Sequence, residues 1–422
     1  MWLGQRNAIV NLYVIHEGGI TMNVISLLRE ALARDGGVLR LEPAWVPRTY
    51  LTPGCRLRLD PRDLYACGTH RGGIDERWLA STTNADNGPG TPADEGLSYI
   101  HLDGTRMLLK KAIDEIGDEL LGGDVMRQQG GWNVLCKFFD NMGPIPHHVH
   151  LQEEHARRIG RNPKPEAYYY PPQYNPTGNT FPYTFLGLDP STARDDIRQC
   201  LERWNEGDNG ILYHSHAYKL KPGTGWRVDA GILHAPGSLL TYEPQRNSDV
   251  LGMFQNVLEG RALGWDMLVK DVPPELHHDL DYIIGMLDWD ANVDPEFARK
   301  RLLHPKPVRP EAEMAECGYS EKWVTYGSSH FSAKELIVFP GRTAVIRDAA
   351  AYGLILTQGY GMVGKLQVET PSFIRYGNMT RDELFVTAAA ASAGVVVKNA
   401  GEVEDLVMLK GFGPGNPDAA HV

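Results

Sequence analysis

The 422-residue sequence predicts a mainly β fold that contains two separate β regions. The 45 glycines and 28 prolines punctuate many short segments rich in Val, Leu, Tyr and Phe, as expected of short strands joined by turns. Hydrophobic residues make up 42% and charged residues 23%, which is typical of a globular chain. The Pro-rich stretch HPKPVRP, residues 304–310, separates an earlier from a later group of strand-like segments. The length itself favours two domains.

The first β region is interrupted by segments whose apolar residues follow a helical period. Helical insertions are predicted at about 106–121, 190–205 and 274–303. Asp189 and Pro190 have the order of a capping residue and a first helical position, which supports the second of these. We expect residues 22–305 to form one domain.

The second β region, residues 322–413, contains the strand-like runs ELIVF, TAVI, YGLIL, KLQVE, LFVTA, GVVVK and LVMLK. Their spacing fits a barrel or a sandwich. After His330 the chain has no histidine until His421, so a histidine-rich metal site is not expected in this domain. Residues 306–321 are expected as a linker and residues 414–422 as a tail.

Charge and cysteine usage exclude several classes of function. The net charge of −11 and the lack of a Lys/Arg cluster argue against nucleic-acid binding. No run of 18 apolar residues predicts a membrane-spanning helix, so we expect no membrane partner. Five scattered cysteines without a Cys-x-x-Cys pair predict reduced thiols and a cytoplasmic protein. Residues 1–21 carry no recognisable export signal and are expected as an N-terminal extension, which a misassigned start before Met22 would explain.

The densest group of metal-ligand residues is PHHVHLQEEH, residues 146–155. On a strand, His148 and His150 point to one face and His147 to the other, because side chains alternate. Glu166 follows in a KPE segment, and His234 comes three residues after Gly231. Imidazole and carboxylate ligands suit Zn, Mn, Fe or Ni.

Other histidines are expected to be structural. His155 fits a helix after the strand, and His214 and His216 form a second H-x-H without a glutamate partner.

An H-x-H pair, a downstream glutamate and a distant G-x-x-H resemble the paired motifs of the cupin superfamily. That resemblance implies jelly-roll barrels, with helical insertions here. It also implies one divalent metal ion held by His148, His150, Glu166 and His234, for which zinc is the first expectation.

Within the cupins the chain resembles the type I mannose-6-phosphate isomerases over about residues 55–412. The segments that carry the resemblance are GGIDERWLAS, CKFFDNMGPIPHHVH, KPEAYY and VDAGILHAPGSLLTYEPQRNSDV. The resemblance implies proton-transfer roles for Lys164 and Glu243. Two positions depart from the family pattern: His148 stands where the family has glutamine, and Met253 where it has an arginine near the transferred proton.

These observations predict a metal-dependent isomerase that interconverts an aldose and a ketose, as sugar or sugar phosphate, through an enediol. The loss of the arginine predicts a substrate that differs from the family's own. Tyr168 and Trp226 are predicted to contact the sugar. Two alternatives stay open at this point: a cupin metalloenzyme of another class, such as an oxygenase or a lyase, and a catalytically silent sugar-binding cupin. The sequence leaves the oligomeric state open.

Overall fold

The computed structural model describes residues 13–15, 21–177 and 180–421. In it the chain forms two antiparallel jelly-roll barrels with helices in the connections, which confirms the predicted mainly β fold. Most of the predicted N-terminal extension, residues 1–21, lies outside the described residues, as does Val422.

The earlier strands, apart from β3 (Val38–Arg40), build the first barrel and its flanking hairpins. In chain order they are β1 (Tyr13–Ile15), β2 (Thr21–Asn23), β3 (Val38–Arg40), β4 (Ala44–Arg48), β5 (Gly73–Leu79), β6 (Tyr99–Leu102), β7 (Thr105–Leu108), β8 (Val134–Phe139), β9 (His148–Val149), β10 (Glu166–Tyr169), β11 (Tyr183–Leu186), β12 (His216–Lys219), β13 (Gly225–Val228), β14 (His234–Ala235), β15 (Thr241–Arg246), β16 (Gly252–Met253), β17 (Val257–Leu258), β18 (Arg261–Ala262) and β19 (Leu302–Leu303).

The later strands build the second barrel. They are β20 (Lys306–Pro307), β21 (Tyr319–Thr325), β22 (Ser332–Val338), β23 (Thr343–Ile346), β24 (Tyr352–Gln358), β25 (Tyr360–Val363), β26 (Leu366–Glu369), β27 (Glu383–Val386), β28 (Val395–Asn399) and β29 (Leu406–Phe412).

The α-helices lie between strands. They are α1 (Val24–Asp35), α2 (Leu109–Leu121), α3 (Gly123–Gln129), α4 (Glu153–Arg158), α5 (Arg194–Glu202), α6 (Trp265–Leu268), α7 (Leu280–Gly285), α8 (Trp289–Asn292), α9 (Phe297–Arg301), α10 (Glu311–Glu316) and α11 (Ala388–Ala393). Short 3-10 helices cover Pro61–Asp63, Thr69–Arg71, Ile211–His214, Pro274–Leu276 and Pro417–His421. Among the described helices, none is both long and apolar enough to cross a membrane.

The two barrels have the same strand order. The large sheet of the first runs β19-β13-β10-β15-β8-β5-β4, and that of the second runs β3-β27-β24-β29-β22-β21-β20. The small sheets, β12-β11-β14-β9-β16 and β26-β25-β28-β23, correspond in the same way. Position by position, β8 therefore matches β22, β10 matches β24, β14 matches β28 and β15 matches β29.

The second large sheet takes its outer strand β3 from the part of the chain that precedes the first barrel, and β3 pairs there with β27. In the first large sheet the corresponding outer strand, β19, directly follows the other strands of its own barrel and pairs with β13. The segment 306–321, expected as a linker, contributes β20 to the second sheet and contains α10. The division into domains 22–305 and 322–413 stays a proposal. Strand β3 from the first range and β20 from the expected linker both belong to the second large sheet.

The barrels pack on a shared apolar core, which includes Leu79 and Phe138 from the first large sheet and Phe385 and Leu409 from the second. A buried ion pair crosses the same junction. The Arg77 guanidinium on β5 donates to Asp382 at two distances of 2.8 Å and to Glu383 at 3.0 Å. Burial of this network makes the junction part of the folded core rather than a solvated contact.

Candidate metal centre

Three histidines converge at the mouth of the first barrel. Strand β9 ends on the H-x-H motif, and alternation puts His148 and His150 on the inner face, as predicted. Strand β14 pairs with β9 so that His234 lies directly opposite His148. The possible ligand atoms of the three residues all lie within 4.8 Å of one another. His147 points the other way, with its ring 6.5 Å from that of Phe185.

Main-chain carbonyls determine which ring nitrogen carries the proton in each of the three imidazoles. The Nδ1 atom lies 2.6 Å from Pro146 O in His148, 2.8 Å from Val250 O in His150, and 2.8 Å from Ile232 O in His234. A carbonyl oxygen only accepts, so Nδ1 carries the proton and the neutral ring presents a lone pair at Nε2. Carbonyls that orient histidines in this way are the usual outer partners of metal ligands.

Burial keeps two of these imidazoles neutral. It lowers the pKa of His148 well below its ordinary value, with the neighbouring histidines adding to the effect. Burial, followed by the charge of Lys164, lowers the pKa of His150 to about 4. Neutral imidazole is the form that binds a metal ion.

Glu166, the first residue of β10, completes the cluster. Its Oε2 lies 2.9 Å from His150 Nε2, and its Oε1 lies 3.2 Å from His234 Nε2. Among the described residues, neither Glu166 Oε2 nor His234 Nε2 has a hydrogen-bond partner of acceptable geometry. Burial favours the neutral acid, but Lys164 and His150 outweigh it and hold the pKa of Glu166 well below its usual range.

These atoms fit a divalent metal ion. Lone pairs of imidazole nitrogens face an ionised carboxylate, all of them acceptors in a buried space, and a cation among them would satisfy atoms that the protein leaves unpaired. The donor set of three nitrogens and a carboxylate is one that Zn, Mn, Fe and Ni all accept.

Lys164 and Glu243, the two predicted proton-transfer residues, lie beside this cluster. Lys164 Nζ donates to His150 Nε2 at 2.9 Å and lies 3.1 Å from Glu166 Oε2. Glu243 Oε1 is 3.7 Å from Lys164 Nζ and 3.5 Å from Lys137 Nζ. Burial, together with the negative charge of Glu166, raises the pKa of Glu243 to about 8, against the opposing effect of the two ammonium groups.

The two predicted sugar contacts are placed differently. The Tyr168 side chain lines the cavity beside the histidines, and its hydroxyl donates to Glu166 Oε1. Trp226 pairs with Tyr168 across β10 and β13, but it is not among the residues that line the cavity. Its ring packs 4.9 Å from that of Tyr218 in an apolar cluster. Trp226 therefore lies beside Tyr168 in the sheet, next to the residues that line the cavity.

An arginine that the sequence reasoning missed lies in the same cavity. Arg48, on β4, is 3% exposed and binds Glu76 through two contacts of 3.2 Å and Asp249 through contacts of 3.1 and 3.2 Å. Lys137 and Met253 line the same space. A guanidinium therefore reaches this cavity from β4. The signal in the sequence was an arginine inside the apolar strand segment AWVPR, but its partners lie far away in the chain.

The cavity enclosed by these side chains holds only about 30 Å³, roughly the space of one water molecule. Tyr50, Ile145, Pro236 and Leu251 line it together with the polar groups. In this conformation the site is narrow, and the histidines and the charged side chains around them are buried.

Comparison with known proteins agrees with this architecture. No protein-family model matches the chain, and no curated protein matches it in sequence. Solved structures do match. A mannose 6-phosphate isomerase with zinc bound superposes with a TM-score of 0.58 at 13% identity, over 90% of this chain and 100% of that one. The mannose 6-phosphate isomerase from Bacillus subtilis gives 0.57 at 16% identity, over 89% and 99%.

A single-residue variant of phosphomannose isomerase from Salmonella typhimurium gives a TM-score of 0.58 at 14% identity, over 90% of this chain and 100% of that one. At this level of identity the likeness concerns the fold. The chain has the two-barrel cupin fold of mannose 6-phosphate isomerases, and it carries a cluster of three histidines at the mouth of the first barrel.

Proposed function

We propose that this chain is a metal-dependent isomerase that interconverts an aldose and a ketose, as sugar or sugar phosphate. The observation that carries the proposal is the convergence of three imidazole Nε2 atoms and Glu166 beside Lys164 and Glu243. The fold shared with mannose 6-phosphate isomerases supports it.

In this proposal His148, His150, Glu166 and His234 hold one divalent ion, with zinc as the first expectation and Mn, Fe or Ni as chemically acceptable alternatives. The ion supplies Lewis-acid stabilisation of the oxyanion that develops on the sugar, an effect worth several kcal/mol. The main-chain carbonyls at Nδ1 keep each imidazole turned towards the ion.

Glu243 is the proposed proton-transfer group. Its carboxylate removes the proton from the carbon that bears the hydroxyl, giving the enediol, and returns it to the neighbouring carbon. A carboxyl group whose pKa is about 8 is protonated at neutral pH. A divalent ion bound by the neighbouring ligands would lower the pKa of Glu243 towards neutral pH, where the carboxylate can act as a base. Lys164, 3.7 Å from Glu243, is placed to hold the sugar oxygens while the proton moves.

We propose that Tyr168 and Trp226 contact the sugar, since Tyr168 lines the cavity and Trp226 lies beside it on the neighbouring strand. The cavity beside the histidines must widen to admit a hexose, because its volume of about 30 Å³ is far below that of usual small-molecule sites. Closure after binding would exclude water from the enediol.

The test is a panel of free and phosphorylated aldoses, assayed with the metal-loaded chain in D₂O. Any exchange of the proton on Glu243 with solvent places deuterium at the carbon that receives it, which a direct hydride transfer between the two carbons cannot do. Glu243→Gln should lower kcat by about 10²- to 10⁴-fold while metal content stays unchanged. Glu335→Gln is the matched control, since Glu335 lies in the second barrel and accepts from Tyr169. Full activity of Glu243→Gln at unchanged metal content would reject the assignment.

One observation favours a second candidate, a cupin oxygenase: the centre has three imidazoles and a carboxylate, a set that also suits iron. Iron in the purified chain together with substrate-dependent oxygen uptake would support this alternative over the isomerase. Full metal loading without turnover of any sugar would support the hypothesis that the chain binds a sugar without catalysing a reaction.

A further inference from the structure

The second barrel carries buried charges at the strand positions that correspond to the metal centre. In the first barrel Lys137 on β8 lies opposite Glu243 on β15. In the second, Lys334 on β22 lies opposite Lys410 on β29. The next strand extends the match, because Trp78 is opposite Lys137 and Trp323 is opposite Lys334.

These second-barrel charges form a tight network. Lys334 Nζ donates to Asp348 Oδ1 at 2.7 Å, and Lys410 Nζ donates to Asp348 Oδ2 at 2.6 Å. Lys410 also contacts Glu321. All four side chains are more than nine-tenths buried. Apolar side chains at such positions are often equally stabilising or better, so this network is poorly explained as a device for stability.

A cavity of about 490 Å³ opens over the network. Its floor includes Lys334, Glu321 and the Trp323 ring, which stacks with the Lys334 ammonium at 4.5 Å. Exposed Arg309 and Arg347 lie at its rim. The volume falls in the range of small-molecule sites and is many times that of the narrow cavity at the histidines.

We propose that this cavity, the mouth of the second barrel, is a second binding site that takes a small anionic sugar derivative such as a sugar phosphate. Exposed Arg309 and Arg347 present two cations to the anionic group. The Lys334 ammonium on the floor, in contrast, is already held by Asp348 and lies 3.6 Å from Asp418. The Trp323 side chain lines the cavity with only 4% of its surface exposed, and the Glu321 carboxylate can accept from the hydroxyls of a sugar. The assignment needs no metal ion and holds whether or not the first barrel is an isomerase.

The experiment is calorimetric titration of the full chain with glucose 6-phosphate, with inorganic phosphate and glucose as separate probes. Arg309→Ala/Arg347→Ala removes the two exposed rim cations; because Arg309 also donates to the Tyr319 hydroxyl, the free energy of unfolding of this variant is measured beside that of the control. Arg157→Ala/Arg381→Ala is the control, with the same change in charge at exposed positions outside the cavity. We expect the rim variant to weaken one glucose 6-phosphate binding event at least about tenfold and the control to leave it unchanged.

A second measurement locates the event. In chain labelled with 5-fluorotryptophan, the fluorine resonance of Trp323, identified through Trp323→Phe, should shift on titration and stop shifting in the rim variant. An unmoved Trp323 resonance at about 10 mM glucose 6-phosphate, or equal affinity of the rim variant and the control, would overturn the proposal. Inorganic phosphate that binds as tightly as glucose 6-phosphate would overturn the assignment to a sugar.

Discussion

The mouth of the first barrel places Lys137 opposite Glu243 in a cavity that His148 and His150 also line, whereas the mouth of the second places Lys334 opposite Lys410. Strands β21–β29 contain no histidine. The cavity at the first mouth holds about 30 Å³ and that at the second about 490 Å³. One strand plan therefore supplies two cavities, and a few side chains at matching positions decide whether the cavity suits a metal ion or a larger anion.

The largest expected effect is the loss of metal when ligands of the first barrel are removed, which tests whether the metal is bound only there. His150→Ala/His234→Ala should lower metal content from one ion per chain to almost none and should lower any sugar turnover on the order of 10³-fold. Elemental analysis of the purified variants measures the metal. His214→Ala/His216→Ala is the matched control, because this second pair lies outside the cluster. Full occupancy in the first variant would mean that the ion is held elsewhere, and the contrast between barrels would fail.

The next effect tests whether the barrels fold as one unit. Arg77→Ala leaves Asp382 and Glu383 buried without their shared cation, so the free energy of unfolding should fall by about 3–5 kcal/mol. Urea unfolding followed by circular dichroism gives the value. Arg29→Ala, which removes an exposed pair with Glu119, should leave the free energy of unfolding almost unchanged. Similar losses in the two variants would show that the junction contributes little.

A third prediction concerns pH at that junction. Burial raises the pKa of Glu383 to about 7, against the lowering effect of Arg77. The folded state therefore holds this proton more tightly than the unfolded state, whose pKa is about 4.5. The stabilisation is complete below pH 4.5 and should fall by about 3 kcal/mol as the pH rises through 7.

Glu383→Gln should lack this decline, because an amide does not titrate. Urea unfolding from pH 4.5 to 8 compares the two chains. Parallel curves for wild type and variant would contradict the raised pKa.

The smallest expected effect concerns the substrate of the first barrel. Met253 offers no charge, and Arg48 in the same cavity is already neutralised by Glu76 and Asp249. A phosphorylated sugar would lack a charge-assisted hydrogen bond there, a penalty of about ten- to hundredfold. We expect a kcat/KM for mannose 6-phosphate below about 10⁴ M⁻¹s⁻¹ and a better value for another sugar in the panel. Steady-state kinetics above that limit would restore the activity of the resembled family.

Local patterns were sufficient for part of the site. Strand alternation alone puts His148 and His150 on one face, and the structure places them so. Glu166 and His234 came from motif order, and both lie at the cluster. Roles for these residues, and for Lys164 and Glu243, stay predictions.

Long-range pairing accounts for what the sequence did not reveal. The partners Arg48 and Asp249 are 201 residues apart, and no periodicity reports a contact at that distance. Trp226 was predicted to contact the sugar; its ring packs in the apolar cluster that also contains Tyr168, and its role stays a prediction. The segment 306–321 was expected as a linker because of its prolines. Its strand β20 forms on the edge of a sheet, where proline is tolerated.

The contribution of β3 to the second barrel sets an order for synthesis and folding. Arg40 on β3 pairs with Leu384 on β27, so β3 leaves the ribosome about 340 residues before its partner exists. At common rates of translation that interval lasts roughly 20 to 70 s. Throughout it the nascent chain presents a strand without its sheet. The second barrel is synthesised later and is completed only when β3 joins it, so β3 must be kept from pairing with other edges until then.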